Sequence, residues 1–188
     1  MKKFLVVGLG NIGEEYRGTR HNIGFEILDY LAEKEEFQFS SDRLGDVGQF
    51  KYKGRTAICL KPSTYMNLSG KAVLYWLQKE NIPLENLLIL TDDLNLPFGS
   101  LRLKTKGSDG GHNGLKDIQK MLNTGSYPRL RFGVGSDYSR GQQVDFVLGR
   151  WNEEEAEALP ERLNRCYELI RSFLFAGPKN TMNKFNNT

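Results

Sequence analysis

The 188 residues hold two histidines, His21 and His112, and each is followed by asparagine inside a glycine-bearing segment, "TRHNIG" and "GGHNG". Loops of this kind at strand ends present side chains and free backbone N–H groups above a rigid sheet. Two carboxylates, Asp92 and Asp93, follow the apolar run "NLLIL" after a threonine. A buried carboxylate beside a histidine fixes its tautomer and stabilises the imidazolium, which makes the ring a better general base. Spacing alone leaves either aspartate open as that partner. No serine lies in a G-x-S-x-G setting, and Cys59 falls within an apolar run where a thiol is inert. Neither Cys-x-x-Cys nor His-x-x-x-His spacing occurs, so no metal is expected. Water activated by histidine is the chemistry that remains.

"GLGNIG", residues 8–13, matches the G-x-G-x-x-G of dinucleotide sites and follows an apolar run. Such a site needs its third glycine inside a helix that faces pyrophosphate. Here "EEYRGTRHN" follows, and the acid about 20 residues on that should hold a ribose is Asp29, within a predicted helix. No nicotinamide or flavin cofactor is therefore expected. "TYMNLSG", residues 64–70, sets Tyr65, Met66 and Asn67 at the entrance of another predicted helix. A methionine, a ring and an amide suit stacking of an unpaired base or an uncharged grip on a peptide backbone, but they equally suit a plain helix start with Met66 buried.

The elements that must position these residues are legible by period. Lys3 to Val7 and "NLLIL" are short apolar runs, hence buried strands. Phe50 to Leu60 predicts a hairpin turning near Lys53-Gly54, while Leu101 and Leu103 alternate with Arg102 and Lys104 as a strand with one basic face. "RLRFGVG" is a further strand. Helices are predicted over Ile23 to Glu35 with Asn22 as N-cap, along the Ala72, Val73, Trp76, Leu77 stripe, and from about Leu115 to Leu122 with Asn113 as cap. A last helix carries Leu163, Cys166, Leu169, Ile170, Phe173 and Leu174, and starts after Pro160. The polar, Asn-rich tail from Pro178 to Thr188 is expected to be loosely held. Alternating strands and helices predict an α/β fold: one domain over residues 1–188, a sheet with helices on both faces.

Composition sets the class. With 39% hydrophobic and 26% charged residues and a mean hydropathy of −0.50, the chain reads as a soluble globular domain. No apolar run reaches the roughly 20 residues of a membrane span, and two cysteines fit a reducing compartment, so a cytoplasmic location is expected. The net charge of +3 permits a nucleic-acid partner without demanding one. Arg102, Lys104, Lys106, Lys116, Lys120, Arg129 and Arg131 share one stretch, either a basic patch or a solvated face.

Taken in order, "GLGNIGEEYRGTRHNIG", "KPSTYMNLSGKAV", "DDLNLPFGSLRLK", "GSDGGHNGLKDI" and "YPRLRFGVG" resemble bacterial peptidyl-tRNA hydrolase, from about Phe4 to Gly149 and more weakly into "MNKFN". The resemblance implies that the sheet is twisted and mixed, and that the chain is a cofactor-free, monomeric esterase that releases peptide from tRNA. By it, His21 is the general base, Asp92 orients it, and Asn11 contacts the peptide beside the ester and favours blocked over free aminoacyl groups. Tyr16, Tyr65, Asn67 and Asn113 match positions that bind the tRNA end and peptide. Met66 matches the cleft lining, His112 a secondary substrate contact, and Lys104 and Arg131 basic positions for the 5′ phosphate.

The chain departs from that pattern at Ile12, where proline is common, at Asn95, where a second aspartate is usual, and at Asp109, an added acid. Asn95 puts any role of the second carboxylate in doubt and leaves Asp92 intact. Two other readings of the sequence are a non-catalytic RNA-binding protein on the same fold and a Rossmann-type oxidoreductase. Cleavage of a blocked aminoacyl ester separates the first from an enzyme, and thermal stabilisation by NAD or FAD identifies the second.

Overall fold

The computed structural model describes residues 2–188. Seven strands form one sheet: β1 (Lys2–Gly8), β2 (Ser40–Asp42), β3 (Gly45–Tyr52), β4 (Arg55–Pro62), β5 (Leu87–Asp93), β6 (Leu101–Lys104) and β7 (Arg129–Gly133). Their spatial order is β2-β3-β4-β1-β5-β7-β6. The central four strands run parallel, and antiparallel partners complete both edges. The helices are α1 (Ile23–Lys34), α2 (Ser69–Lys79), α3 (Asn113–Leu122), the single turn α4 (Gln143–Val147) and α5 (Glu153–Phe185). The alternation predicts the α/β architecture, and the family resemblance its mixed sheet.

Strand parity divides the core in two. Phe4 and Val6 of β1 and Leu88 and Leu90 of β5 pack with Ile27, Leu28 and Leu31 of α1 and with Leu169, Ile170 and Phe173 of α5. Leu5, Val7, Leu87 and Ile89 face the other way, against Val73 and Trp76 of α2 and Leu115 and Ile118 of α3. Both faces are thus covered, which is why β1 and β5 read as continuous rather than alternating runs. Cys59 and Cys166 are buried in the first layer, and burial pushes both thiols up, out of reactive range.

The end of β1 meets the start of α1 through glycine. A Cβ placed on Gly8 would lie 2.2 Å from the Gly24 carbonyl oxygen, and one on Gly24 would lie 2.4 Å from the Leu9 nitrogen. Only at such contact does the turn before α1 sit directly over the carboxyl end of the sheet.

Local signals misled in four places. Asn22 precedes α1 without capping it by its side chain, because that side chain is engaged elsewhere, as described below. The cap of α3 is His112 rather than Asn113: its ring nitrogen accepts from the Gly114 and Leu115 amides. α5 begins at Glu153, not after Pro160: Asn152 and Glu155 form a reciprocal capping box, and Glu153, Glu154 and Glu155 fill the first turn, where acids suit the helix dipole. The segment after Pro178 is not loose. Gly177 (φ 85°) kinks α5, Pro178 opens its last stretch, and Thr181 and Phe185 are buried.

Candidate active site

The parallel strands end at a cleft of about 580 Å³, lined among others by Asn11, His21, Met66, Asn67, Asp92 and His112. His21 lies on the tight turn Arg20–Asn22 ahead of α1. Its Nδ1 stands 2.9 Å from Asp92 Oδ2, and the other carboxylate oxygen, Oδ1, stands 2.8 Å from His112 Nε2. One buried aspartate therefore joins both histidines of the chain.

Strand alternation chooses between the aspartates. Asp92 shares parity with Leu88 and Leu90 and so turns toward α1, which follows His21. Asp93 faces the opposite layer, where its carboxylate meets Arg131 at 3.5 Å and accepts from the Asn95 amide.

Proton positions follow from the partners. Nδ1 of His112 accepts two backbone N–H groups at 3.1 and 3.3 Å, so its lone pair is there and its proton is on Nε2, donated to Asp92. Asp92, an acceptor, likewise takes the Nδ1 proton of His21, which leaves the lone pair of His21 on Nε2. Burial raises the Asp92 carboxyl, but His21 and His112 outweigh it and hold it well below the usual carboxylate range. Burial lowers His21, yet the charge and hydrogen bond of Asp92 prevail and hold the ring above its ordinary 6.5. His21, Asp92 and His112 also place ligand-type atoms within 4.8 Å of one another. They do not fit a metal in this state, because a His112 that accepts at Nδ1 has no lone pair on Nε2 to offer.

Asn11, just past β1, is clamped. Asn22 Oδ1 accepts from its amide at 2.8 Å and Asn22 Nδ2 donates to its carbonyl at 2.9 Å, while Asn11 Oδ1 accepts from the Met66 amide at 2.6 Å. Its carboxamide nitrogen has no partner among the described residues, and neither do the side chains of Asn67 and Asn113 on the same cleft. Three uncharged donors thus line the cleft that holds His21.

Arg131 also lines the cleft. It bonds the Ser108 carbonyl at 3.3 Å, and its buried Nε has no partner among the described residues. Lys104 lies outside the cleft lining, on β6, with no carboxylate at ion-pair distance among the described residues. Tyr65 is 52% exposed beside Met66 at the rim, and Tyr16, on the turn Glu14–Tyr16, lies outside the cleft. Arg129 leaves the basic stretch altogether: it is fully buried, stacked 4.0 Å from the Tyr127 ring, and tied to the carbonyls of Gly107, Ser108 and Gly125.

Sequence reasoning missed the far wall, Tyr138, Gln143, Val144, Val147 and Leu148. Its signal was the spacing of Val144, Val147 and Leu148 behind a glycine-bounded polar loop. Arg20 anchors this wall to the neighbour of His21: its guanidinium stacks 4.2 Å from the Phe146 ring, donates to the Phe146 carbonyl and pairs with Glu155 at 3.0 Å. A second, more open groove of about 1010 Å³ shares Asn11 and runs along α1 past Glu26, Asp29 and Glu33. Burial, against a hydrogen bond from Trp151, pushes Glu26 up to about 7. Asp29, the acid a dinucleotide site would need on a strand, is on α1 and pairs with Lys61.

Comparison with known proteins shows the family and the fold. The family model for peptidyl-tRNA hydrolase matches residues 5–188. The peptidyl-tRNA hydrolase of Parabacteroides distasonis is 59% identical over 185 residues, 98% of this chain and 99% of its own. That of Bacteroides fragilis is 59% identical over 184 residues, 98% of each chain. The crystal structure of peptidyl-tRNA hydrolase from Acinetobacter baumannii superposes with a TM-score of 0.92 at 34% identity, covering 97% of this chain and 94% of that one.

Proposed function

The chain belongs to the peptidyl-tRNA hydrolase family, and from that premise we propose that it hydrolyses the ester joining a peptide to the terminal ribose of tRNA, with His21 activating the water. The observation that carries this reading is the His21–Asp92–His112 arrangement, which leaves one basic nitrogen, His21 Nε2, available beside the cleft.

His21 Nε2 takes a proton from water as the water oxygen bonds to the ester carbonyl carbon. The carbonyl π bond breaks and its electron pair settles on oxygen, where the amides of Asn67 and Asn113 stabilise it. The oxyanion then collapses, the bond to the ribose oxygen breaks, and that oxygen recovers the proton from the imidazolium. Free tRNA and a peptide carboxylic acid result. Asp92 keeps the ring in the right tautomer and balances its transient charge. Asn11 meets the amide of a blocked aminoacyl group, Met66 lines the peptide path, and His112 acts on substrate chiefly through Asp92.

Tyr16 and Tyr65 contact the tRNA end from outside the cleft, and Lys104 and Arg131 hold the 5′ phosphate. Such contacts position the RNA without reading its sequence. No helix is long and apolar enough to cross a membrane among the described residues. We place the enzyme in the cytoplasm as a monomer that recycles tRNA from aborted translation.

The test is single-turnover hydrolysis of an N-acetyl-aminoacyl-tRNA, with the unacetylated ester as control. The wild type should cleave the blocked ester and spare the free one. His21→Ala should lose about 10²–10⁴-fold in rate while still binding tRNA. Binding without cleavage by the wild type would make the chain an RNA-binding relative and remove the catalytic roles.

A further inference from the structure

β6 is a four-residue strand at the edge of the sheet, bonded on one side only to β7. Its register sets Arg102 opposite Arg131 and Lys104 opposite Arg129. Like charges directly opposite each other push two strands apart, and a short edge strand has little else to hold it. On the open side of β6 a side chain takes the place of a neighbouring strand. The Leu103 amide donates to Asn186 Oδ1 at 2.7 Å, and Asn186 Nδ2 donates to the Leu103 carbonyl at 3.1 Å. The Asn187 amide donates to the Leu101 carbonyl, and Arg102 donates to Asn187 Oδ1 at 3.0 Å. Asn186 is itself fixed, because buried Phe185 precedes it and its amide donates to the Met182 carbonyl.

We propose that Asn186 is a positioning residue for the 5′ phosphate of the tRNA: its carboxamide pins Leu103 and so fixes the β6 register that keeps Arg102 opposite Arg131 and Lys104 next on the same face of the strand. The inference rests on the phosphate-binding role of Lys104 and Arg131 given above. A carboxamide suits the task because it offers one donor and one acceptor side by side, the pair that a backbone edge requires. In sequence the family-like "MNKFN" offers no reason for its last asparagine, Asn186; the reason is the edge of β6.

The experiment measures kcat and kcat/KM on N-acetyl-aminoacyl-tRNA with its 5′ phosphate and after its enzymatic removal. In the wild type the phosphate should improve kcat/KM several-fold, through KM. In Asn186→Ala that advantage should shrink to less than twofold while kcat on saturating phosphorylated substrate stays within twofold. Asn186→Asp retains the acceptor for the Leu103 amide and loses the donor, so it should fall between the two and serves where the alanine variant does not fold. Circular dichroism and urea unfolding establish that each variant is native. An undiminished phosphate advantage in either folded variant overturns the proposal. A wild type indifferent to the phosphate overturns the assignment of Lys104 and Arg131, and the proposal with it. Equal losses on both substrates, mainly in kcat, would show a general structural role for Asn186 and also refute it.

Discussion

At the residue scale the site turns on one carboxylate that serves two rings. Replacement of Asp92 by asparagine would not merely weaken it. His112 is bound to donate from Nε2, since its Nδ1 caps α3, so it claims the amide oxygen. The amide nitrogen then faces His21 Nδ1, which must become an acceptor, and the proton of His21 moves to Nε2, the nitrogen that the proposed mechanism needs free. Asp92→Asn should therefore lose about 10²–10⁴-fold in kcat with little change in KM, measured by single-turnover and steady-state rates on the same blocked ester. The pH dependence follows from the same pair. Because Asp92 holds His21 above 6.5, kcat/KM should climb with pH through an inflection above that value. Stability runs the other way. The part owed to His21 is complete below 6.5 and lost as pH rises through its raised folded-state value, whereas the part owed to Asp92 is complete above about 3.8 and lost as pH falls toward its lowered one. Rate profiles and urea titrations across pH 5–9 would show the opposed slopes near neutrality.

At the element scale, two asparagines of equal promise in sequence have different work. Asn22 spends both ends of its amide on the backbone of Asn11, whereas Asn113 bonds nothing in the described chain and leaves capping to His112. Asn22→Ala should cost about 1 kcal/mol, because it leaves the half-buried amide and carbonyl of Asn11 without their partner, and should also lower kcat/KM as Asn11 drifts. Asn113→Ala should stay within about 0.5 kcal/mol. Urea unfolding of the two variants decides the matter: a loss of about 1 kcal/mol at Asn113 would mean that it caps after all. Sequence could not separate them, since Asn before a helix has the same local signature whether it serves the helix or a distant loop. Long apolar stripes were legible because burial enforces their period, as in α1, α2 and α5. Pro160 misled because a proline preference describes a first turn, while the capping box of Asn152 and Glu155 lies well upstream of it. Residue type singled out His21 and the pair Asp92 and Asp93, between which only the family resemblance chose, but not the far wall around α4, whose place over the cleft depends on the contacts of Arg20 with Phe146 and Glu155.

At the scale of the whole molecule the charge is divided. Arg102, Lys104 and Arg131 stand on the β6–β7 side, while the groove along α1 carries Glu26, Asp29 and Glu33. A small net charge of +3 thus conceals an uneven distribution, basic along β6 and β7 and rich in acids along α1. Added salt should raise KM for tRNA substrates, and Lys104→Ala should flatten the logarithmic slope by about one contact, measured between 50 and 200 mM salt as the handling range for such titrations. The contact of Gly8 with Gly24 bears on how such a molecule can vary. Two backbones touch there with no side chain between them, so the distance from the sheet to the His21 turn has no adjustable spacer. Exchanges in the surrounding loops can retune affinity or reach, but the interval between His21 and Asp92 is a fixed dimension, open to change only if strand and helix are rebuilt together.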